Sequence, residues 1–208
     1  MPRQKRVDEA RMIYHAINRG NARNSIFHKS EDYDALLRVL AEGLEKYQVD
    51  LFSFVLMPNH WHLVLRPGRD GEMGKLLRWV TATHSLRYHA HYHTREYGHI
   101  YQSRFKSFPI QDDTHFYVVC RYVERNPLRA NLVPKAELWP YGSLYRWNQT
   151  TDSIPKVLEE LVRSVDSIDK AIHRATTRPW EPSWHATGCV RHIGKVRKSV
   201  RRLGLESS

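Results

Sequence analysis

The stretch from Leu51 to Arg66 constrains the fold more than any other part of this 208-residue chain. Two apolar runs flank the residues Met57-Pro58-Asn59, and proline and asparagine favour turns, so the stretch predicts a β-hairpin within a sheet. Side chains alternate between the two faces of a strand. One face of the second strand therefore carries both of its histidines, together with their i+2 neighbours: His60, His62, Val64 and Arg66. We expect the opposite face to be buried, and it carries Trp61, Leu63 and Leu65.

Two imidazoles side by side on one strand face, beside an arginine, are suited to hold a metal ion and an anion. The spacing alone is weak evidence because the chain has 13 histidines. A second group, His89, His91 and His93, lies near the end of a predicted helix. Because residues two apart diverge on a helix, we interpret that group as a polar helix end rather than a metal site.

The remaining pattern predicts a split βαβ, or ferredoxin-like, α+β fold with an antiparallel sheet and helices. The predicted order is a strand over residues 11–18, a helix from Ser30 to about Tyr47, the hairpin, a helix from Lys75 to about Tyr92, a strand over residues 98–109, and a helix from His115 to about Asn126, ended by Pro127. We assign residues 1–150 to this domain. We expect residues 151–208 to form a basic helical extension, with a helix over residues 154–175, a linker over residues 178–182 and a small appendage over residues 184–205.

The net charge of +11 and the isoelectric point near 9.8 favour a polyanionic partner, most often nucleic acid. A basic surface with no such partner is the alternative. The charge is concentrated at the two ends, since residues 1–29 and residues 184–208 each carry a balance of +5. Two cysteines form no disulfide framework, and no apolar run approaches the ~18 residues of a membrane span. We therefore expect a cytoplasmic, nucleoid-associated protein without membrane contact.

The third predicted helix brings a second set of polar residues to one edge. His115, Tyr122 and Asn126 lie at positions i, i+7 and i+11, so they share one side of a helix. A tyrosine hydroxyl and an amide oxygen one turn apart could both reach a metal held by two strand histidines. The alternative, which spacing does not exclude, is a half-buried tyrosine followed by an asparagine cap.

Several motifs together resemble the HUH single-tyrosine transposases, and the branch of REP-associated tyrosine transposases in particular. They are His60-Trp61-His62 and the stretch from Tyr122 to Ala130, supported by residues 14–21, 101–107 and 139–143. The resemblance covers about residues 11–147 in matching order.

The resemblance implies nicking and strand transfer of single-stranded or hairpin DNA through a covalent 5′-phosphotyrosine. It implies that His60 and His62 bind Mg²⁺ or Mn²⁺ and that Tyr122 is the nucleophile. Asn126 would be the third ligand, where the wider family often has glutamine. Glu124 is the other oxygen ligand nearby, but two residues after Tyr122 it points away from that residue. His115 could assist proton transfer. A non-catalytic nucleic-acid-binding protein derived from a transposase is the rival class.

Basic and aromatic residues are the candidates for DNA contact. Tyr101, Phe105 and Phe108 could stack on bases, although Phe105 is better explained as part of the core. The oligomeric state, monomer or homodimer, stays open. The candidate DNA-binding residues are Arg19, Arg23, Arg66, Arg104, Lys106 and Arg129.

Overall fold

The computed structural model describes residues 7–148, so the predictions for residues 151–208 lie outside the described residues. The described chain alternates strands and helices in the order that the sequence predicts. The elements are β1 (Tyr14–Arg19), α1 (Ser30–Lys46), β2 (Val49–Met57), β3 (His60–Pro67), α2 (Glu72–Tyr92), β4 (Lys106–Pro109), α3 (Asp113–Glu124), α4 (Asn126–Arg129) and α5 (Ser143–Asn148). The predicted ferredoxin-like α+β fold is confirmed.

The four strands form one antiparallel sheet in the order β2-β3-β1-β4. The hairpin is confirmed, with Pro58 and Asn59 as its turn, and β3 lies inside the sheet while β2 is its edge. In the pairing of β1 with β3, Ile17 lies opposite His62 and Arg19 lies opposite His60. Directly paired residues point to the same face, so alternate residues of β1 share the face of the two histidines.

Each face of the sheet is covered by a different set of helices. Trp61, Leu63 and Leu65 are buried in a cluster with apolar residues of α1 and α2, as the alternation predicts. The histidine face is covered by α3, through a second apolar cluster that includes Val64, Phe116 and Val123. This second cluster packs α3 over the strand that carries the two histidines.

The strand predicted for residues 98–109 is shorter than expected, because only Lys106–Pro109 pairs with β1 along a ladder. Tyr101 makes a single bridge with Gly20 and is 8% exposed. Its hydroxyl accepts a hydrogen bond from Trp61 Nε1 (3.3 Å) and lies 2.8 Å from His84 Nδ1. The expectation that Tyr101 stacks on bases is therefore wrong. Phe105 belongs to the core as predicted, while Phe108 is 52% exposed.

The third helix ends two residues earlier than predicted. Asp112 caps its start by accepting a hydrogen bond from the His115 amide (2.8 Å). Arg125 leaves helical geometry at φ −87° and ψ 2°, and Asn126 then begins α4 with Pro127 in its first turn. Proline is tolerated there because the first amides of a helix have no partner within it. Asn126 is therefore separated from Tyr122 by a helix break.

The segment from Trp139 to Ser143 packs tightly against α1 and β2. Trp139 Nε1 donates to the Leu56 carbonyl (2.9 Å), and the Tyr141 ring stacks on Tyr33 with centroids 3.9 Å apart. The Ser143 hydroxyl lies 3.2 Å from Glu124 Oε1, which also accepts from Ser53 (3.3 Å). Glu124 is therefore buried in a network between α3, β2 and α5, away from the surface.

His84 gives the fold a predictable sensitivity to acid. Burial lowers its pKa to about 4, whereas in the unfolded chain an imidazole titrates near 6.5. As the pH falls below 6.5, the unfolded chain binds the proton first, so stability is lost between about pH 6.5 and pH 4. We expect His84 alone to lower the melting temperature by about 4 to 8 °C between pH 7 and pH 5. Thermal melts of His84→Gln, which accepts from Tyr101 without titrating, should show a smaller loss; an unchanged pH dependence would contradict this.

Candidate active site

Three histidines, rather than the two seen in the sequence, form the floor of the candidate site. His62 is 2% exposed and His60 is half-buried, with their ring centroids 5.0 Å apart. His15, from the neighbouring strand β1, stacks on His62 with the centroids 5.0 Å apart and the planes 17° from parallel. His15 Nε2 lies 2.8 Å from His62 Nδ1.

Tyr122 projects from α3 over this floor. Its ring centroid is 5.6 Å from that of His62 and 6.2 Å from that of His15, both edge to face. The residue is 40% exposed although its ring contacts both histidines. The guanidinium carbon of Arg129 lies 5.4 Å from the ring centroid, a cation–π distance.

The remaining predicted ligand, Asn126, comes to the same place despite the helix break. Its amide nitrogen lies 3.4 Å from His62 Nε2. His115 is close enough to contribute to the low pKa of His15, and its Nδ1 accepts from the Gln111 amide (3.3 Å). Glu124 is committed to the Ser53 and Ser143 hydroxyls and points to a different part of the molecule.

The floor histidines are neutral at physiological pH. Burial, reinforced by nearby positive groups, lowers the pKa of His60 to about 4 and that of His62 to about 2. Burial likewise lowers the pKa of His15 to about 4. A neutral imidazole has a lone pair that can bind a metal ion, whereas a protonated one has none.

The hydrogen bonds at Nδ1 of the two predicted ligands leave Nε2 of His60 without a bond and Nε2 of His62 in contact only with the Asn126 amide (3.4 Å), as far as the described residues go. His60 Nδ1 bonds to Asn59 Oδ1 (2.7 Å) and His62 Nδ1 bonds to His15. Nε2 is therefore the atom of each ring that fits a metal ion, and a ring nitrogen held by a second group is typical of metal-binding histidines. Two imidazoles with one amide suit a divalent ion that accepts mixed nitrogen and oxygen ligands. Within residues 7–148, no three His, Cys, Asp or Glu side chains form a metal-binding group by themselves.

Some of the candidate DNA-binding residues lie near His60 and His62, and others lie far from them. Arg19 pairs with His60 across the strands, and among the described residues its Nε is buried without a hydrogen-bond partner. Lys106 is exposed on β4 opposite Ile17. Arg66, in contrast, is at the other end of β3 and forms an ion pair with Asp50 (2.6 Å).

Comparison with known protein families gives a match that spans most of the described residues. The family model described as "Transposase IS200 like" matches residues 9–126, more than half of the chain. The chain belongs to the IS200-like transposase family. The matched range of this transposase includes His15, His60, His62 and Tyr122 and ends at Asn126.

A solved structure shows the same fold. A REP-associated tyrosine transposase bound to a REP hairpin superposes with a TM-score of 0.57 at 16% identity, over 70% of this transposase and 84% of that chain. A protein described as a transposase from Deinococcus radiodurans gives a TM-score of 0.42 at 16% identity, over 60% and 95% of the two chains. No curated protein sequence matches significantly. Among the described helices, none is long and apolar enough to cross a membrane.

His15 is the site residue that the sequence reasoning missed. Its strand was recognised, but neither the face that His15 shares nor the pairing of that strand with β3 was predicted. His15 supports His62 as a hydrogen-bond partner and as a stacked ring.

Replacement of His15 by alanine should weaken Mn²⁺ binding about 10- to 100-fold, the usual cost of losing a group that supports a metal ligand. Calorimetric titration of the transposase with Mn²⁺ would measure it. His89→Ala is the matched control, since His89 bonds to Thr94 (2.9 Å) at the far end of α2. Equal Mn²⁺ affinity in His15→Ala and in the unmodified protein would contradict the supporting role.

Proposed function

We propose that this transposase nicks single-stranded DNA and transfers the strand through a covalent bond between Tyr122 and a 5′ phosphate. The observation that carries the proposal is the partly exposed Tyr122 ring held edge to face against the neutral His62, with the Asn126 amide nitrogen 3.4 Å from Nε2 of that histidine. A tyrosine that served packing alone would have no need of this polar surrounding.

The chemistry is a displacement at phosphorus. The Tyr122 oxygen loses its proton and attacks the phosphorus, the bond to the 3′ oxygen breaks, and that oxygen takes up a proton to leave as a 3′-hydroxyl. Because the phosphotyrosine linkage keeps the energy of the broken bond, the same hydroxyl or another can reverse the step. Strand transfer therefore needs no nucleotide cofactor.

His60 and His62 would hold Mg²⁺ or Mn²⁺ through Nε2, with Asn126 as an oxygen ligand. The bound ion would withdraw electron density from the non-bridging oxygens of the scissile phosphate, which otherwise repel the attacking tyrosine. Burial keeps both imidazoles neutral for this role.

Basic residues around the tyrosine would orient the phosphate. Arg19 carries a buried Nε without a described partner next to His60, and a buried donor of this kind is stabilised by an acceptor such as a phosphate oxygen. Arg129 lies over the Tyr122 ring, and Lys106 is exposed on the adjoining strand. Arg104 and Arg23 are exposed and could follow the strand further away.

We further propose hairpin DNA as the substrate, by analogy with the REP-associated transposase that was solved bound to a REP hairpin. The net charge of +11 supports an extended contact with a phosphate backbone. A substrate of this kind would place the protein at the nucleoid.

The test is incubation with 5′- and 3′-labelled hairpin oligonucleotides that carry single-stranded flanks, with and without Mn²⁺, followed by denaturing gels. We expect a covalent protein–DNA adduct on the 5′-phosphate side and a released strand with a 3′-hydroxyl. Binding without any adduct over a range of flank sequences would favour the rival, a non-catalytic nucleic-acid-binding protein.

A further inference from the structure

Asn59, the last residue of the hairpin turn, makes two hydrogen bonds that together fix its orientation. Its amide nitrogen lies 2.9 Å from the Arg23 carbonyl oxygen, and its amide oxygen lies 2.7 Å from His60 Nδ1. A carbonyl oxygen can only accept a hydrogen bond. The nitrogen of Asn59 must therefore face Arg23, and the oxygen must face His60.

This orientation determines where His60 carries its proton. The Asn59 oxygen can only accept, so His60 Nδ1 must donate. A neutral imidazole has one N–H, so the proton on Nδ1 leaves the lone pair on Nε2. Within residues 7–148, no hydrogen bond involves Nε2 of His60, so that lone pair is open to a ligand.

The Arg23 carbonyl is itself held by a tightly folded loop between β1 and α1. Ala22 and Arg23 both adopt left-handed backbone geometry, with φ of 50° and 62°, which costs energy for residues other than glycine. Two backbone bonds fasten the loop to the hairpin turn, from Gly20 N to Asn59 O and from Ile26 N to Pro58 O, both 2.8 Å.

Gly20 permits the loop to fold this closely. A Cβ atom at this position would collide with the Asn24 carbonyl oxygen and lie 2.8 Å from Ile26 Cγ2. The Arg23 carbonyl is thus presented to Asn59 by a segment whose path is fixed by backbone contacts.

We infer that Asn59 is a positioning residue that fixes His60 in the tautomer with its proton on Nδ1, so that Nε2 is presented to the metal ion. The inference rests on the proposed function for the role of the metal, but the tautomer itself is a property of the metal-free protein. Asn59 thereby holds His60 by its Nδ1 atom, as His15 holds His62 by its Nδ1 atom.

The tautomer can be read directly in the full-length, metal-free transposase. Long-range ¹H–¹⁵N correlation spectra at pH 8, where imidazoles are neutral, distinguish a proton on Nδ1 from one on Nε2. We expect the Nδ1–H form for His60 in the unmodified protein and a mixture of forms in Asn59→Ala. A His60 that carries its proton on Nε2 in the unmodified protein, or that stays fully Nδ1–H in Asn59→Ala, would overturn the inference.

Titration with Mn²⁺ separates positioning from a merely structural role. Asn59→Asp keeps an oxygen acceptor for His60 but loses the donor to Arg23, whereas Asn59→Ala loses both. We expect Asn59→Ala to bind Mn²⁺ about 10-fold or more weakly and Asn59→Asp to bind it about as well as the unmodified protein. If Asn59 only ties the loop to the turn, the two variants should be equally impaired, which would refute the positioning role.

Asn21→Ala is the control for disturbance of the loop, because Asn21 bonds to the Ala22 amide (3.0 Å) within the same loop. It should leave both the His60 tautomer and Mn²⁺ affinity unchanged. If the unmodified protein binds no Mn²⁺ while the spectra follow Asn59 as expected, the metal in the proposed function is wrong and the tautomer assignment stands.

Discussion

Replacement of Tyr122 by phenylalanine should abolish the covalent adduct and lower cleavage by at least about 10³-fold, the scale of losing a nucleophile. The substitution removes one oxygen from a residue that is 40% exposed. The phenyl ring keeps its contacts with His62 and Arg129, so the free energy of unfolding should change by less than about 0.5 kcal/mol. Single-turnover cleavage of a labelled hairpin would measure the loss of activity, and a thermal melt would measure the change in stability. A binding isotherm would check that the variant still binds the DNA.

Tyr117→Phe is the matched control, because Tyr117 lies on the same helix and contacts the apolar cluster beneath α3. This variant should form the adduct at the normal rate. An adduct that persists in Tyr122→Phe would refute Tyr122 as the nucleophile and make Tyr117 the next candidate, since Tyr101 is buried against Trp61 and His84.

The parts of the fold that the sequence predicted are those controlled by local pattern. The hairpin follows from a turn between two alternating strands, and α1 and α3 follow from apolar spacing and from Asp112 as a cap. The face that His60 and His62 share follows from strand alternation alone. These features depend on neighbours within a few residues, so one sequence is enough to predict them.

The features that were missed depend on contacts between distant segments. His15 reaches His62 because β1 pairs with β3 in one particular register, and these two strands are not joined by a hairpin turn that would fix the register from local sequence. Tyr101 was predicted to stack on bases because it alternates with basic residues, but its hydroxyl satisfies Trp61 and His84 in the core.

For Asn126, the sequence predicted the end of the third helix but not the path that the chain takes after it. Pro127 was expected to end the third helix, and the helix does end before it. The chain then restarts in α4, which brings the Asn126 amide to His62 by a turn rather than by helical spacing. A continuous α3 helix would also place Asn126 on the side of Tyr122, but by helical spacing and not by a turn.

Replacement of His62 or of His60 should be as severe for cleavage as the loss of Tyr122. His62 contacts His15, Asn126 and the Tyr122 ring, so its loss would remove a ligand and the support of the nucleophile together. We expect His60→Ala and His62→Ala each to abolish cleavage that depends on Mn²⁺, and EDTA to do the same to the unmodified protein. Full activity in EDTA would remove the metal from the mechanism.

The size of the substituted side chain matters for the control, because His62 is 2% exposed and alanine would leave a cavity. His62→Gln fills more of that space than His62→Ala does. If both variants lose cleavage but only His62→Ala has a lower melting temperature, the loss of cleavage is due to the missing metal ligand and not to poorer packing. Asn126→Ala should lower cleavage without abolishing it, because a water molecule can take the place of one neutral oxygen ligand. A complete loss in Asn126→Ala, with Mn²⁺ affinity intact, would mean that the amide acts on Tyr122 or the DNA instead of the metal.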